Sequence, residues 1–267
     1  MMILTKLVNK VKKAFDKGFI YMSTYLLWNL KFYFLRLFNV NKVQSKYNII
    51  LYTDFNDATF RFYYFANYGF FYSNYLKNYL LDFVFVDIGA NKGLYTILAA
   101  KNSNCEKVVS FEPIPSTYEF LKKNSELNNI AYKCDFHNYA ISDKCEESEI
   151  LFDPKHSGTA SLTLKKNEKN FDKLRIHTVN CELLNSMFSS KCQNYIIKVD
   201  VEGFELTVLK EIFKCNFSKF ITSIFYEVNI NYNPNILEEI LRSRGFNRFE
   251  KIGDGKEHYD VLATKSI

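Results

Sequence analysis

The sequence predicts an α/β protein, a doubly wound and mostly parallel sheet preceded by an N-terminal helical arm, and three observations predict it. Phe83 to Ile88 is apolar without alternation, as a strand buried on both faces of a parallel sheet must be. It runs into a glycine turn, Gly89-Ala90-Asn91-Lys92-Gly93, that opens an apolar helical stretch. Beyond it, short β-rich runs alternate with helical ones to the end of the chain. A chain of 267 residues with 48% hydrophobic content suffices for one such domain and an appendage.

Residues 1–47 read as a basic, aromatic helical arm, 48–80 as a preliminary strand and helix region, and 81–267 as the main domain. Residues 1–53 carry nine Lys or Arg against Asp16 alone, while residues 54–267 carry 26 against 28 acids, so the net charge of +6 belongs to the arm. Leu4 to Lys17 mixes basic and apolar residues with no cleavage site after a compact apolar stretch, so it does not read as a signal peptide. Phe19 to Val40 is interrupted by Lys31 and Arg36, and its longest uncharged stretch falls short of the roughly 20 residues of a spanning helix. Two readings follow. Residues 1–40 make peripheral membrane contact, with Lys6, Lys10, Lys12, Lys13 and Lys17 on anionic lipid and Trp28, Tyr33 and Phe34 among headgroups. Alternatively the arm is a cap packed on the main domain or a second subunit, the reading favoured because apolar helices of soluble proteins more often pack on protein. The six cysteines show no C-x-x-C pair and no regular spacing, which points to reduced thiols in a cytoplasmic protein.

Element by element, Ile49–Tyr52 and Ala58–Tyr64 form the preliminary pair, Phe83–Ile88 the first core strand and Leu94–Lys101 its helix. Lys107–Phe111 is the next strand, and Ser116–Asn128 a helix entered through Pro113 and Pro115. Strands are expected at Ala131–Phe136, Ser148–Phe152, Arg175–Asn180 and Tyr195–Val199. A helix at Phe204–Phe213, a strand at Phe220–Tyr226, a helix at Pro234–Arg244 ended by Gly245 and a strand at Tyr259–Thr264 complete the chain.

In such a sheet the ligand lies beyond the carboxyl ends of the strands. Gly89 suits the tight turn, Gly93 is expected to let the helix start approach the ligand, and Asp87 is placed to accept a hydrogen bond or face a cation. Glu112 ends the next strand, 19 residues after Gly93, where an acid pairs with two ribose hydroxyls. Asn91 stands where a dinucleotide's pyrophosphate needs a glycine. S-adenosylmethionine has an adenosine and no phosphate, so that departure favours it over NAD. A NAD-dependent oxidoreductase is the rival enzyme reading, and a non-catalytic, membrane-peripheral binding protein on the same fold the non-enzymatic one. Nucleic acid is not an expected partner, because the positive charge sits on the arm and the Asn-Pro-Pro-Tyr type motif of base methylases is absent.

The stretches Val86 to Thr96, Ser110-Phe111-Glu112-Pro113, Asn138 to Asp143, Gly158 to Leu162 and Ile197 to Glu205 resemble, in order, the FkbM family of methyltransferases. The Lys198-Val199-Asp200-Val201-Glu202-Gly203-Phe204-Glu205 stretch is the most distinctive. The resemblance implies a class I, Rossmann-like, S-adenosyl-L-methionine-dependent fold and O-methylation of a sugar or natural-product hydroxyl. It implies that Asp87, Gly89 and Gly93 line the methionine part, Glu112 the ribose, and Asn138 with Ala140 the adenine edge, with Asn91 also among the cofactor-binding residues. Asn185 and Glu211 depart from the pattern, where Asp and Gly are usual.

Asp200, Glu202 and Glu227 would then face the methyl group, as candidate bases that raise one another's pKa or as oxygen ligands of a divalent cation. Glu202 also suits the start of a helix. Among the histidines, His137 lies beside the adenine region, His177 and His258 fall on strands, and His156, before a loop suited to close over the substrate, is the reserve candidate.

Overall fold

The computed structural model describes residues 19–162, 171–188, 192–229, 234–255 and 257–266. Lys6, Lys10, Lys12, Lys13 and Lys17 of the expected lipid contact lie outside them. The chain divides into two units, residues 1–43 and 44–267. In the first, helix α1 (Phe19–Leu37) ends where Asn39 takes a left-handed φ of 46°, letting the Val40 N–H reach back to the Leu35 carbonyl at 3.1 Å.

The second unit is organised by strand β2. Strand β1 (Ile50–Tyr52) and helices α2 (Ala58–Phe65) and α3 (Phe70–Lys77) precede β2 (Phe83–Ile88), helix α4 (Leu94–Ala100), β3 (Cys105–Phe111), α5 (Pro115–Leu127) and β4 (Cys134–His137). Then come β5 (Ala140–Ile141), β6 (Glu147–Phe152), β7 (Asp172–Val179), α6 (Cys181–Met187), β8 (Tyr195–Val199) and α7 (Glu205–Ile212). β9 (Ile221–Asn229), α8 (Pro234–Ser243), β10 (Arg248–Ile252) and β11 (His258–Thr264) end the chain. Among the described residues the central sheet has the order β10-β11-β9-β8-β2-β3-β4, parallel except where β11 enters antiparallel between β9 and β10. The strand order reverses between β2 and β8, the topological switch point at which such sheets open a ligand crevice. This is a doubly wound, Rossmann-like sheet.

All six residues of β2 are buried, and its alternation sorts them to two faces. Val84, Val86 and Ile88 join the core shared with Leu209 of α7 and Leu241 of α8. Phe85 and Asp87 point the other way, toward α3 and α4. There the Tyr72 ring stacks on Phe225 with centroids 3.8 Å apart and meets Tyr95 edge-on at 5.1 Å.

Four features depart from the sequence reading. Helix α3, read only as part of a preliminary region, covers the sheet through Tyr72. The expected strand Ala131–Phe136 begins as a 3-10 turn, Ala131–Lys133, and only Cys134–His137 pairs with β3. The strands around Ser148–Phe152 and Arg175–Asn180 belong to a separate sheet, β5-β7-β6. Helix α6 and strand β10 were not foreseen. The two departures from the family pattern find local partners: Asn185 accepts the Asn216 N–H at 2.8 Å and Glu211 the Cys181 N–H at 3.1 Å.

The Tyr72 hydroxyl is buried and has no hydrogen-bond partner among the described residues. Tyr72→Phe should therefore leave stability unchanged or raise it by about 1 kcal/mol, whereas Tyr72→Ala should lower it by about 3–5 kcal/mol. Denaturant unfolding of both variants checks the pair.

Candidate active site

The crevice at the switch point has a volume of ≈ 420 Å³, in the size range of small-molecule sites. Register places its acids. Ile88 pairs with Phe111 and Tyr226 with Val199, so Gly89, Glu112, Asp200 and Glu227 all stand one residue past the last rung of the parallel pairing, while Glu227 is still paired with Asp260 of β11.

The glycine turn is held by its own amides. Gly89 and Ala90 N–H donate to the Phe111 carbonyl, each at 3.0 Å, and Gly93 N–H to the Ala90 carbonyl at 2.9 Å. Asn91 N–H donates to Glu112 Oε2, and Lys92 N–H to Asn91 Oδ1, each at 2.8 Å. All five amides are spent, so the turn offers no cradle for a phosphate. Gly89, at φ 74°, has no room for a side chain because a Cβ would lie 2.0 Å from the Asp200 carbonyl oxygen. Gly93, at φ 88°, faces not the ligand but helix α5, where a Cβ would meet Leu121 Cδ1 at 2.7 Å; the expectation of a ligand approach there is corrected.

Glu112, 5% exposed, lines the crevice and accepts a second amide, Ile114 N–H, at 2.9 Å. Burial pushes its carboxyl up to about 7 against the pull of those two amides. Ala140 lines the crevice as expected. Asn138 does not: its amide donates to the carbonyls of Glu112 at 2.8 Å and Pro113 at 2.9 Å, so it shapes the wall from behind. His137 stacks on Phe111 at 5.0 Å.

Asp87 also stands behind the wall rather than on it. It is fully buried, accepts Thr96 Oγ1–H at 2.6 Å, and lies 3.8 Å from the Lys198 ammonium. Lys198 is 2% exposed; its Nζ donates to the Gly89 carbonyl at 3.1 Å and pairs with Asp200 at 3.3 Å. Burial alone would lower this ammonium, but Asp200 and Asp87 outweigh it and hold it above its ordinary value. Burial raises the Asp87 carboxyl despite Lys198 and Thr96. Asp200, further contacted by the Tyr68 hydroxyl at 3.4 Å, faces the crevice.

Glu202 and Glu227 line the crevice too. Glu202 takes a left-handed φ of 52°, and Glu205 instead serves the start of α7, accepting the N–H groups of Gly203 at 3.1 Å and Val201 at 3.3 Å. Glu227 Oε1 lies 2.7 Å from His258 Nε2, and burial, then Asp200 and Glu202, push its carboxyl well above the usual range. The donor atoms that come together for a cation are those of Glu202, Glu227 and His258, within 4.8 Å of one another, with Asp200 outside the group. The sequence reading missed His258 as a crevice residue, and it missed Asp260, paired with Glu227 across β9 and β11, whose carboxyl burial and Asp200 push up to about 7.

The 153–162 segment crosses the crevice as a strap. Ser157 donates to Asp57 through N–H at 3.0 Å and Oγ at 2.7 Å, and Ser161 Oγ donates to the Glu202 carbonyl at 2.8 Å. Asp57 is also paired with the buried Lys92 at 2.5 Å. His156 lines the crevice beside Phe62, at 5.9 Å between rings, while His177 is exposed on β7 and remote from it.

Comparisons with known proteins bear on this site. The model of the family described as Vibrio cholerae RfbT protein matches residues 4–255. Two curated relatives are "Methyltransferase 1" of Beauveria bassiana, 26% identical over 145 residues, and "Methyltransferase sdnD" of Sordaria araneosa, 24% identical over 153. Each alignment covers 48% of this chain, and 58% and 59% of the relatives, so the chain spans less than two thirds of their length. Similar solved structures include a precorrin-6Y C5,15-methyltransferase of Geobacter metallireducens, at TM-score 0.44 and 11% identity over 73% of this chain and 86% of that one. Another is the M. capricolum TrmK complex with S-adenosylhomocysteine, at TM-score 0.43 and 12% identity over 73% and 68%.

Removing the ammonium should expose the cost of the acids around it. Lys198→Met leaves Asp87 buried without its cation and should cost about 3–5 kcal/mol. The deficit should shrink toward pH 4, because a carboxyl whose folded pKa is raised contributes most stability when protonated and loses it as pH rises. Thermal unfolding from pH 4 to 8 checks both; a pH-independent deficit would reject the charge argument.

Proposed function

The chain belongs to the Vibrio cholerae RfbT protein family, and from that premise we propose that it is an S-adenosylmethionine-dependent methyltransferase that O-methylates a hydroxyl of a sugar or glycan. The observation that carries the cofactor is the spent glycine turn beside Glu112. A dinucleotide or nucleoside triphosphate needs free amides for its phosphates, and the turn has none, while Glu112 keeps a lone pair on each oxygen for a hydroxyl donor. The crevice is also acidic, with Asp200, Glu202 and Glu227 along its wall, which suits a cationic sulfonium. The two curated relatives are named methyltransferases, and the five stretches resembling the FkbM family support the sugar or natural-product hydroxyl as acceptor.

When bound, S-adenosylmethionine supplies an electrophilic methyl group on sulfur. Glu112 accepts from the ribose, Gly89 and Asn91 wall the methionine part, and Ala140 leaves room at the adenine edge. Asp200, held by Lys198 and Tyr68, faces the crevice beside the reacting groups. The acceptor hydroxyl must lose a proton as it attacks, and positioning accounts for most of the remaining barrier. Glu227 takes that proton: its raised carboxyl is the stronger base once ionised. His258, 2.7 Å away with its side chain 48% exposed, passes the proton to solvent.

Isothermal titration tests the cofactor. The Glu112 carboxyl, pushed up to about 7, is mostly protonated at pH 6, so S-adenosylmethionine affinity should rise about tenfold from pH 6 to pH 8. Glu112→Gln should abolish that rise and weaken binding about 10- to 100-fold. Tight NAD binding with no response to S-adenosylmethionine would reject the proposal.

Transfer of methyl label from S-adenosylmethionine into a cell glycan fraction tests the chemistry. Asp200→Asn should leave cofactor affinity within about threefold and stop transfer, and undiminished transfer would remove Asp200 from the site.

A further inference from the structure

Helix α1 turns an apolar stripe to solvent. Leu26, Leu27, Leu30, Tyr33, Phe34 and Leu37 recur at the spacing of one helix face, and all are exposed, Leu27 at 65% and Leu37 at 75%. Phe32, by contrast, is only 3% exposed. At 3.6 residues per turn the stripe is about 120° wide, bordered by Lys31 on one edge and Arg36 on the other. Lys31 Nζ sits 5.2 Å over the Trp28 ring. Residues 19–53 carry Lys31, Arg36, Lys42 and Lys46 and no acid.

Three occupants compete for such a face, and charge separates them. A membrane span is out of reach, since no helix among the described residues is long and apolar enough to cross a membrane. A second copy meeting the same stripe about a two-fold axis would gather Lys31 and Arg36 of both chains in one interface with no acid to offset them. An anionic bilayer surface satisfies both features, its acyl boundary taking the stripe and its headgroups the basic edges. We propose that α1 lies flat in the surface of a membrane rich in anionic phospholipid and holds the protein there. The inference stands apart from the methyltransferase reading, and neither fails with the other.

The full chain should co-sediment with phosphatidylcholine vesicles containing phosphatidylglycerol, far less with phosphatidylcholine alone, and release at high salt. Leu30→Ser with Phe34→Ser should weaken capture about tenfold or more. Lys31→Glu with Arg36→Glu should remove the preference for the anionic vesicle, a change of about tenfold or more. These positions are exposed, so unfolding midpoints should match the parent chain. Recovery in the supernatant with both vesicles, or equal capture by both, would overturn the proposal. So would a dimer in light scattering that the Leu30 and Phe34 changes dissociate while vesicles capture nothing.

Discussion

The ammonium of Lys198 is the interaction on which the site is built. It sits on a central strand, beside Asp87 across the β2–β8 pairing, and reaches Asp200 and the Gly89 carbonyl. Taking an ammonium and two carboxylates out of water costs several kcal/mol per ion, and only close, mutual contacts repay it. A lysine suits the task because its compact ammonium can turn its N–H donors toward separate acceptors, where a guanidinium's fixed fork favours one planar partner. The same contacts bring the β2 turn, the end of β8 and the acid facing the crevice into one arrangement. The charge that stabilises the sheet's centre is thus the charge that orients its functional edge.

A second buried lysine fixes the turn from the opposite side. Lys92 is 3% exposed, pairs with Asp54 and Asp57, and through Asp57 meets Ser157 of the strap, whose hydroxyl also approaches Asn91 Oδ1 at 3.2 Å. Burial alone would raise the Asp57 carboxyl, but Lys92 and the Ser157 donors hold it below its usual range. Turn, helix start and strap are therefore tied together by the chain's own contacts.

Legibility in the sequence followed local periodicity. β2, β8 and the helices after Gly93 and Pro113 were readable because unbroken apolar runs and turn residues report burial directly. Glu112, Asp200 and Glu227 were readable as acids at strand ends. What hid was any role decided by the face a residue takes in three dimensions. Asp87 and Asn138 carry the same residue types whether they touch a ligand or hold the wall behind it. Gly93 answers to Leu121, 28 positions later, and His258 meets Glu227 only because β11 inserts antiparallel beside β9. Helix α3 hid because Phe70-Phe71-Tyr72-Ser73-Asn74-Tyr75 is aromatic on more than one face and its packing on Phe225 is long-range.

Charge is distributed along the chain by task. The first 53 residues hold nine basic side chains against one acid, and the rest hold slightly more acid than base. Around the crevice the excess is sharper: Asp200, Glu202, Glu205 and Asp260 all act on Glu227, and Lys198 offsets part of the effect on Asp260. Burial first, and then this crowding, lifts Glu227 and Asp260 above their ordinary range. On the proposed reading a cationic cofactor beside these carboxyls would lower the pKa of Glu227, the proposed base, so that binding itself would ready it for the acceptor's proton.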